Sequence, residues 1–187
     1  MRMTATIDGV SLTPSGGLDG DAFKAAFRQH AAGVAVITAD VGDGPVGLTA
    51  TSVFSVSAEP ALLVFSLSEL SSSAPTIVAA ETIVVHLLGA EQVAIARLCA
   101  TSGVDRFADA ALWGRLDTGE PYFPAAATWI RGRIVNRMNA GTSTVVAVHA
   151  LEAGAGDASA APLVYHNRTW HRLGDHSRLD SGEPVAR

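Results

Sequence analysis

Cysteine and lysine are almost missing from this chain. Its 187 residues include one cysteine, Cys99, and one lysine, Lys24, among thirteen basic residues. A single thiol excludes an intramolecular disulfide and any zinc site built on several thiolates, and it fits a reducing compartment. Eighteen carboxylates leave a net charge of −5. With no basic field, the phosphate contacts that dominate nucleic-acid binding have no footprint. Charged residues make up 17% and aromatics 6%, against 48% apolar residues and a mean hydropathy of +0.28. That balance excludes a disordered chain and predicts that surplus apolar surface is covered by a second subunit. Residues 1–15 carry Arg2 and Asp8 and lack the apolar core of a signal peptide. Residues 46–67, the greasiest stretch, are broken by Glu59 and Pro60 and studded with Ser and Thr, unlike a membrane span. A cytoplasmic location is expected. Also missing are a G-x-G-x-x-G after a strand, a phosphate-loop lysine motif, a G-x-S-x-G elbow and a Ser-His-Asp order. Dinucleotide-binding, NTPase and serine-hydrolase architectures of those kinds therefore lack support.

What is present reads as one mainly β domain, expected over residues 18–174, with tails at 1–17 and 175–187. Asp21 to His30 reads as a short amphipathic helix, with Asp21 at its start, Phe23 and Phe27 at i, i+4 and Gly33 as a stop. Residues 34–38 and 46–53 are β-rich and flank Gly42-Asp-Gly-Pro45, a hairpin pattern. Residues 61–67 and 82–88 are apolar runs suited to strands buried on both faces. Helices are predicted over 74–80, with Pro75 in the first turn, and over 91–100. Residues 129–138 alternate, placing Ile130, Ile134 and Met138 on one face and Arg131, Arg133 and Arg137 on the other. Residues 144–151 and 162–173 read as two more strands, with a loop over 154–159. Six or seven strands joined mostly by short turns, with no βαβ rhythm, predict an antiparallel barrel or sandwich.

Hydroxyl side chains carry the densest polar information. Gly47-Leu-Thr-Ala-Thr-Ser52 and Ser66-Leu-Ser-Glu-Leu-Ser-Ser-Ser73 offer neutral donors and exposed N–H groups beside buried strands, the chemistry a phosphate needs, although Ser/Thr turns and caps use the same residues. His166 and His171, five apart on one predicted strand, fall on opposite faces and make a poor metal pair. His86 and His149 sit inside apolar runs and read as hydrogen-bonded core or interface histidines. Trp129 and Trp170 read as packing surfaces.

The order of these motifs resembles the short-chain flavin reductase family of two-component monooxygenases. The likeness spans residues 23–173: the stretch 27–38, then Gly47 to Leu63, Ser71-Ser-Ser73, His86-Leu-Leu88, Asp105-Arg-Phe107, Gly119-Glu-Pro121 and Pro162-Leu-Val-Tyr-His166 in sequence. Gly44-Pro-Val-Gly47 and Asp117-Thr-Gly-Glu-Pro121 are similar to the branch serving bacterial desulfurization monooxygenases. The resemblance implies a split β-barrel homodimer that binds FMN, or FAD, uses NAD(P)H and feeds reduced flavin to a partner monooxygenase. It also implies that Thr49, Ala50, Thr51 and Ser52 line the flavin ring and ribityl chain. Ser71, Ser72 and Ser73 would contact the phosphate, Ser66 would belong to the same cofactor-binding set, and Arg106 and Phe107 would lie beside the flavin. One motif departs: Gly141-Thr-Ser143 stands where the family commonly has Gly-Asp-His. That leaves Ser143, in place of the histidine, and His166 as the candidate catalytic groups. It also predicts slow nicotinamide oxidation and keeps open a second reading, a flavin-binding carrier or accessory protein.

Overall fold

The structure is a computed structural model that describes residues 5–7, 10–12, 17–156 and 159–179. The expected tails fall largely outside these residues. Within them β1 (Ala5–Ile7) and β2 (Val10–Leu12) pair antiparallel, and a single 3-10 turn spans Asp175–Ser177. The helix α1 (Gly20–Arg28) is capped by Asp19, whose side chain accepts from the N–H groups of Asp21 and Ala22. There follow β3 (Ala32–Gly33), β4 (Ala35–Ala39), β5 (Val46–Ala50), β6 (Phe54–Ala58), β7 (Ala61–Ser68), α2 (Ala74–Ala79), β8 (Thr82–Leu87) and α3 (Val93–Ala100). The short β9 (Gly114–Arg115) and β10 (Pro121–Tyr122) precede two long strands, β11 (Thr128–Ala140) and β12 (Ser143–Ala155), and the chain ends in β13 (Leu163–His166) and β14 (Thr169–Arg172). No helix among the described residues is long and apolar enough to cross a membrane.

Seven strands form one antiparallel sheet in the order β5-β4-β8-β11-β12-β7-β6. The sheet curls until β5 faces β7, and the seam is stitched by a side chain. Ser52 Oγ accepts from Ser66 N at 2.9 Å and donates to Ser66 O at 3.1 Å, standing in for the missing strand pairing. This is a split barrel. Its interior holds Ile37, Leu48, Phe65, Ile83, Val85 and Val148, closed at one end by Ile77 of α2. A second core lies outside β4 and β8, where Val36, Ile95, Cys99, Phe107 and Phe123 pack beneath α3. Strands β4 and β8 are thus buried on both faces, as the apolar run over 82–88 predicted. Strand β7 instead alternates between buried and exposed residues, so the two-sided burial expected for 61–67 is not found: one face of β7 lines the barrel and the other points outward.

Three further sequence expectations are corrected. Residues 162–173 are not one strand but the hairpin β13–β14, closed by the two-residue turn Asn167-Arg168. His166 and His171 consequently share a face, with ring centroids 5.8 Å apart. The alternation along β11 also breaks. Between Ile134 and Asn136 the register slips by one residue, so Met138 pairs with Val145 on the outer face while Ile134 stays in the core. The third is an added strand: β6 was not anticipated, and residues 46–53 end as a strand at Ala50. A further irregularity lies at Gly132, where a Cβ would meet Val148 Cγ1 at 2.4 Å and His149 O at 2.9 Å, so only glycine allows β11 and β12 to approach there.

Candidate functional site

The hydroxyl-rich stretches converge on one cleft of about 440 Å³ between β5, β7, the loop before α2 and the C-terminal end of α3. Thr49, Ala50, Thr51, Ser52, Ser66, Ser71, Ser72 and Arg106 all line it. Several hydroxyls are already committed. Thr49 Oγ1 donates to Ala96 O at 2.6 Å and ties α3 to the barrel. Ser52 stitches the seam. The buried Ser73 hydroxyl donates to Gly47 O at 2.9 Å, and Ser71 Oγ accepts from Ser73 N at 3.3 Å. The exposed Ser72 hydroxyl has no partner among the described residues. Thr51, exposed at the rim, is equally open to a ligand.

Arg106 supplies the charge. Its guanidinium is fixed by Nη2 donating to Thr101 O at 2.8 Å and by a long contact from Nη1 to Ser73 Oγ at 3.4 Å. Its Nε is buried with no hydrogen-bond partner among the described residues. An orphaned buried donor is costly unless something absent from the protein alone satisfies it. A guanidinium beside free hydroxyls and backbone N–H groups is the donor set a phosphate requires. Phe107 plays a different part from its neighbour: it is turned into the second core, stacked on Phe123 with centroids 5.6 Å apart, and is not part of this cleft's lining. Cys99 borders the cleft, but burial pushes its thiol up to about 12 against the opposing pull of Arg106, which makes it inert.

A second, larger groove of about 870 Å³ adjoins the first and shares Thr51 and Ser52 with it. Its apolar walls are Phe23 and Phe27 of α1, Phe54 and Tyr165. Lys24, Arg28, His30, His166 and Arg168 stand around them, with no carboxylate in the lining. Sequence reading missed this groove because it joins the first helix to a hairpin tip far along the chain. His166 lies in it. Ser143 does not line either cavity. It pairs with Ser68 at the start of β12, and the preceding Thr142 O accepts from Glu69 N at 3.1 Å. The two candidate catalytic residues are therefore not brought together within the protomer, and the departure at Thr142 and Ser143 does not strip the groove of imidazoles.

His86 is structural, as its apolar surroundings predicted. Phe123 N donates to Nε2 at 3.0 Å, so Nδ1 must carry the proton given to Val36 O at 3.0 Å. Burial lowers its pKa to about 4, with the Val36 bond opposing, and holds the ring neutral. The Gly119-Glu-Pro121 motif also braces the fold: Glu120 is buried in an ion pair with Arg131 Nε at 2.8 Å. Among the described residues no cluster of three or more His, Cys, Asp or Glu is placed to hold a metal.

Comparison with known proteins agrees with this geometry. Residues 27–174 match the model of the flavin reductase like domain. The chain is 43% identical over 176 residues to an NADH:FMN oxidoreductase of Rhodococcus qingshengii, covering 90% of this chain and 91% of that protein. It is 29% identical over 149 residues to the reductase component of a 4-nitrophenol/4-nitrocatechol monooxygenase of Rhodococcus opacus, covering 80% and 78%. The crystal structure of a flavin reductase domain protein from Arthrobacter sp. FB24 superposes with a TM-score of 0.81 at 34% identity, covering 87% of this chain and 99% of that one. With the fold, the hydroxyl-lined cleft and these matches in agreement, the chain belongs to the flavin reductase-like family.

Proposed function

We propose that this protein is an NADH-dependent flavin reductase that supplies reduced FMN, or FAD, to a separate flavin-dependent monooxygenase. The observation that carries the reading is the meeting of two complementary cavities at Thr51 and Ser52, one with an orphaned arginine donor and the other apolar and cationic. Flavin fits the first by its phosphate: Arg106, Ser71 and Ser72 would hold that group, with Thr49 to Ser52 beside the ring and ribityl chain. When bound, flavin accepts a hydride from the nicotinamide, and one proton from water completes the two-electron reduction.

The chain's own contribution is placement. Rigid strands hold the cleft, and the shared rim allows two ligands to approach at reacting distance. His166, one of two imidazoles in the groove with His30, is the side chain offered to the reacting pair. Because Thr142 and Ser143 lie outside both cavities, no observation favours the carrier reading over turnover. The close relative named for NADH and FMN supports FMN as the preferred flavin, and the reductase component of the nitrophenol enzyme supports a monooxygenase partner. Use of NADH and release of reduced flavin fit a cytoplasmic enzyme whose functional unit is the domain over 18–174.

The homodimer belongs to the same proposal. Antiparallel sheets with one solvated face normally alternate apolar and polar residues. Here the outer face of β6-β7-β12-β11 carries the apolar cross-strand sets Phe54–Val64–Ala147 and Val145–Met138, with Leu62 on the same face of β7. A second copy of this chain fits that face. Light scattering at micromolar concentration should give twice the chain mass, and a monomer would overturn this part. For the activity, anaerobic stopped-flow mixing with FMN and NADH should bleach the oxidised-flavin band. Absence of NADH-dependent bleaching would overturn the reductase assignment.

A further inference from the structure

The tip of the β13–β14 hairpin is built from the wrong residue for its shape. Asn167 and Arg168 both have positive φ, 46° and 62°. Such a two-residue turn favours Asn-Gly. Asparagine tolerates the left-handed region, but an arginine there holds its Cβ against the carbonyl that follows. A residue kept in an unfavourable conformation points to what its side chain does.

The tip is also docked. Asn167 N donates to Arg28 O at 3.1 Å, which fastens the turn to the last turn of α1 and brings Arg28 and Arg168 to the rim of one groove. Five other arginines, Arg115, Arg131, Arg133, Arg172 and Arg178, each face a carboxylate, and Arg106 and Arg137 donate to backbone carbonyls. Neither Arg28 nor Arg168 has a carboxylate partner among the described residues, and the groove contains no acidic side chain in a chain of net charge −5. Below this cationic rim lie Phe23 and Phe27, with ring centroids 4.6 Å apart, and Tyr165. A flat apolar floor under two unpaired guanidiniums suits a ligand that joins planar rings through a doubly charged pyrophosphate.

We propose that Arg28 and Arg168 form a clamp for the pyrophosphate of the nicotinamide dinucleotide, seating it in the groove so that the nicotinamide reaches the flavin cleft across Thr51 and Ser52. The proposal rests on the flavin reductase reading for its choice of ligand. FAD also contains a pyrophosphate, so the same cationic chemistry has two possible sources.

The test uses the double variant Arg28→Ala, Arg168→Gly. Both positions are exposed, and glycine relieves the turn, so the variant should fold at least as stably as the parent. Fluorescence titration with NADH should show binding weakened about tenfold or more, the scale of lost charge-assisted bonds. With FMN as acceptor, KM for NADH should rise correspondingly while kcat stays near its original value. The phosphate-free donor 1-benzyl-1,4-dihydronicotinamide should be oxidised equally by both proteins, and FMN affinity should not change. Unchanged NADH binding, equal loss with both donors, or no NADH binding in the parent would overturn the clamp. Weakened FAD binding with NADH binding intact would assign the arginines to the flavin and overturn it too. If the parent and variant differ in NADH binding but the parent never bleaches FMN, the clamp stands and the reductase reading falls.

Discussion

Strand β4 and helix α1, separated by one short stretch of chain, treat their side chains in opposite ways. Every residue of β4 is buried, and no residue of α1 is. Around β4 and β8, polar groups are satisfied internally, as with His86 between Val36 O and Phe123 N. Around α1 and the neighbouring cleft, Phe23 and Phe27 remain 52% and 59% exposed, and among the described residues Arg106 Nε has no hydrogen-bond partner and Arg28 and Arg168 face no carboxylate. One region spends its interactions on folding. The other withholds them for ligands, and large exposed apolar surface with unpaired donors is what a binding region displays.

The sharpest break in that comparison is a pair of truncations. Phe65→Ala, in the barrel interior at 1% exposure, should cost about 3–5 kcal/mol in urea denaturation. Phe27→Ala should change stability by no more than about 0.5 kcal/mol, as surface changes do, while lowering NADH affinity. Comparable losses at both sites would erase the distinction between the regions.

Next in size is the pH dependence of His86. Its folded-state pKa lies below the unfolded value, at about 4 against 6.5, so the unfolded chain binds the extra proton. Its contribution is fully present above about pH 6.5 and is lost as pH falls toward 4, a total of ~3 kcal/mol. Denaturation curves at pH 7 and pH 4.5 should differ in the parent. In His86→Leu, already destabilised by an unpaired Phe123 N–H, that part of the difference should vanish.

The seam between the two regions should give a smaller effect. Ser52→Ala removes both bonds to Ser66 and should cost about 1–2 kcal/mol, measured by thermal unfolding, and loosen the rim shared by the two cavities. No change in Tm would mean the seam is held by packing alone.

The contrast also explains what could be read from sequence. Strands β4 and β8 were legible because β-branched runs announce buried strands, β7 because Pro60 marks the start of its apolar run, although that run hid the alternation of its two faces, and α2 was announced by Pro75. The bulge at Val135 was invisible because the apolar pattern continues through it, with only the pairing showing that Met138 changes faces. The β13–β14 turn was hidden by Arg168 standing where glycine would have marked it. Strand β6 escaped because its apolar residues, Phe54 and Val56, point away from the core that usually reveals a strand. In the cleft, motif order named hydroxyls and an arginine that the structure brings together. It could not say which were already spent: Thr49, Ser52 and Ser73 hold the fold together, and Phe107 packs in the core. The groove left no local signal, since α1 and the hairpin tip meet only in three dimensions.

The central claim is that the partnerless arginine donor in the hydroxyl-lined cleft awaits a flavin phosphate. Its most direct test compares equilibrium binding of FMN and of riboflavin, which lacks the phosphate, to the parent protein and to Arg106→Ala. The account predicts that the parent prefers FMN by about tenfold or more and that Arg106→Ala abolishes the preference while riboflavin binding is kept. Equal affinity of the parent for the two flavins, or an undiminished preference in Arg106→Ala, would contradict it.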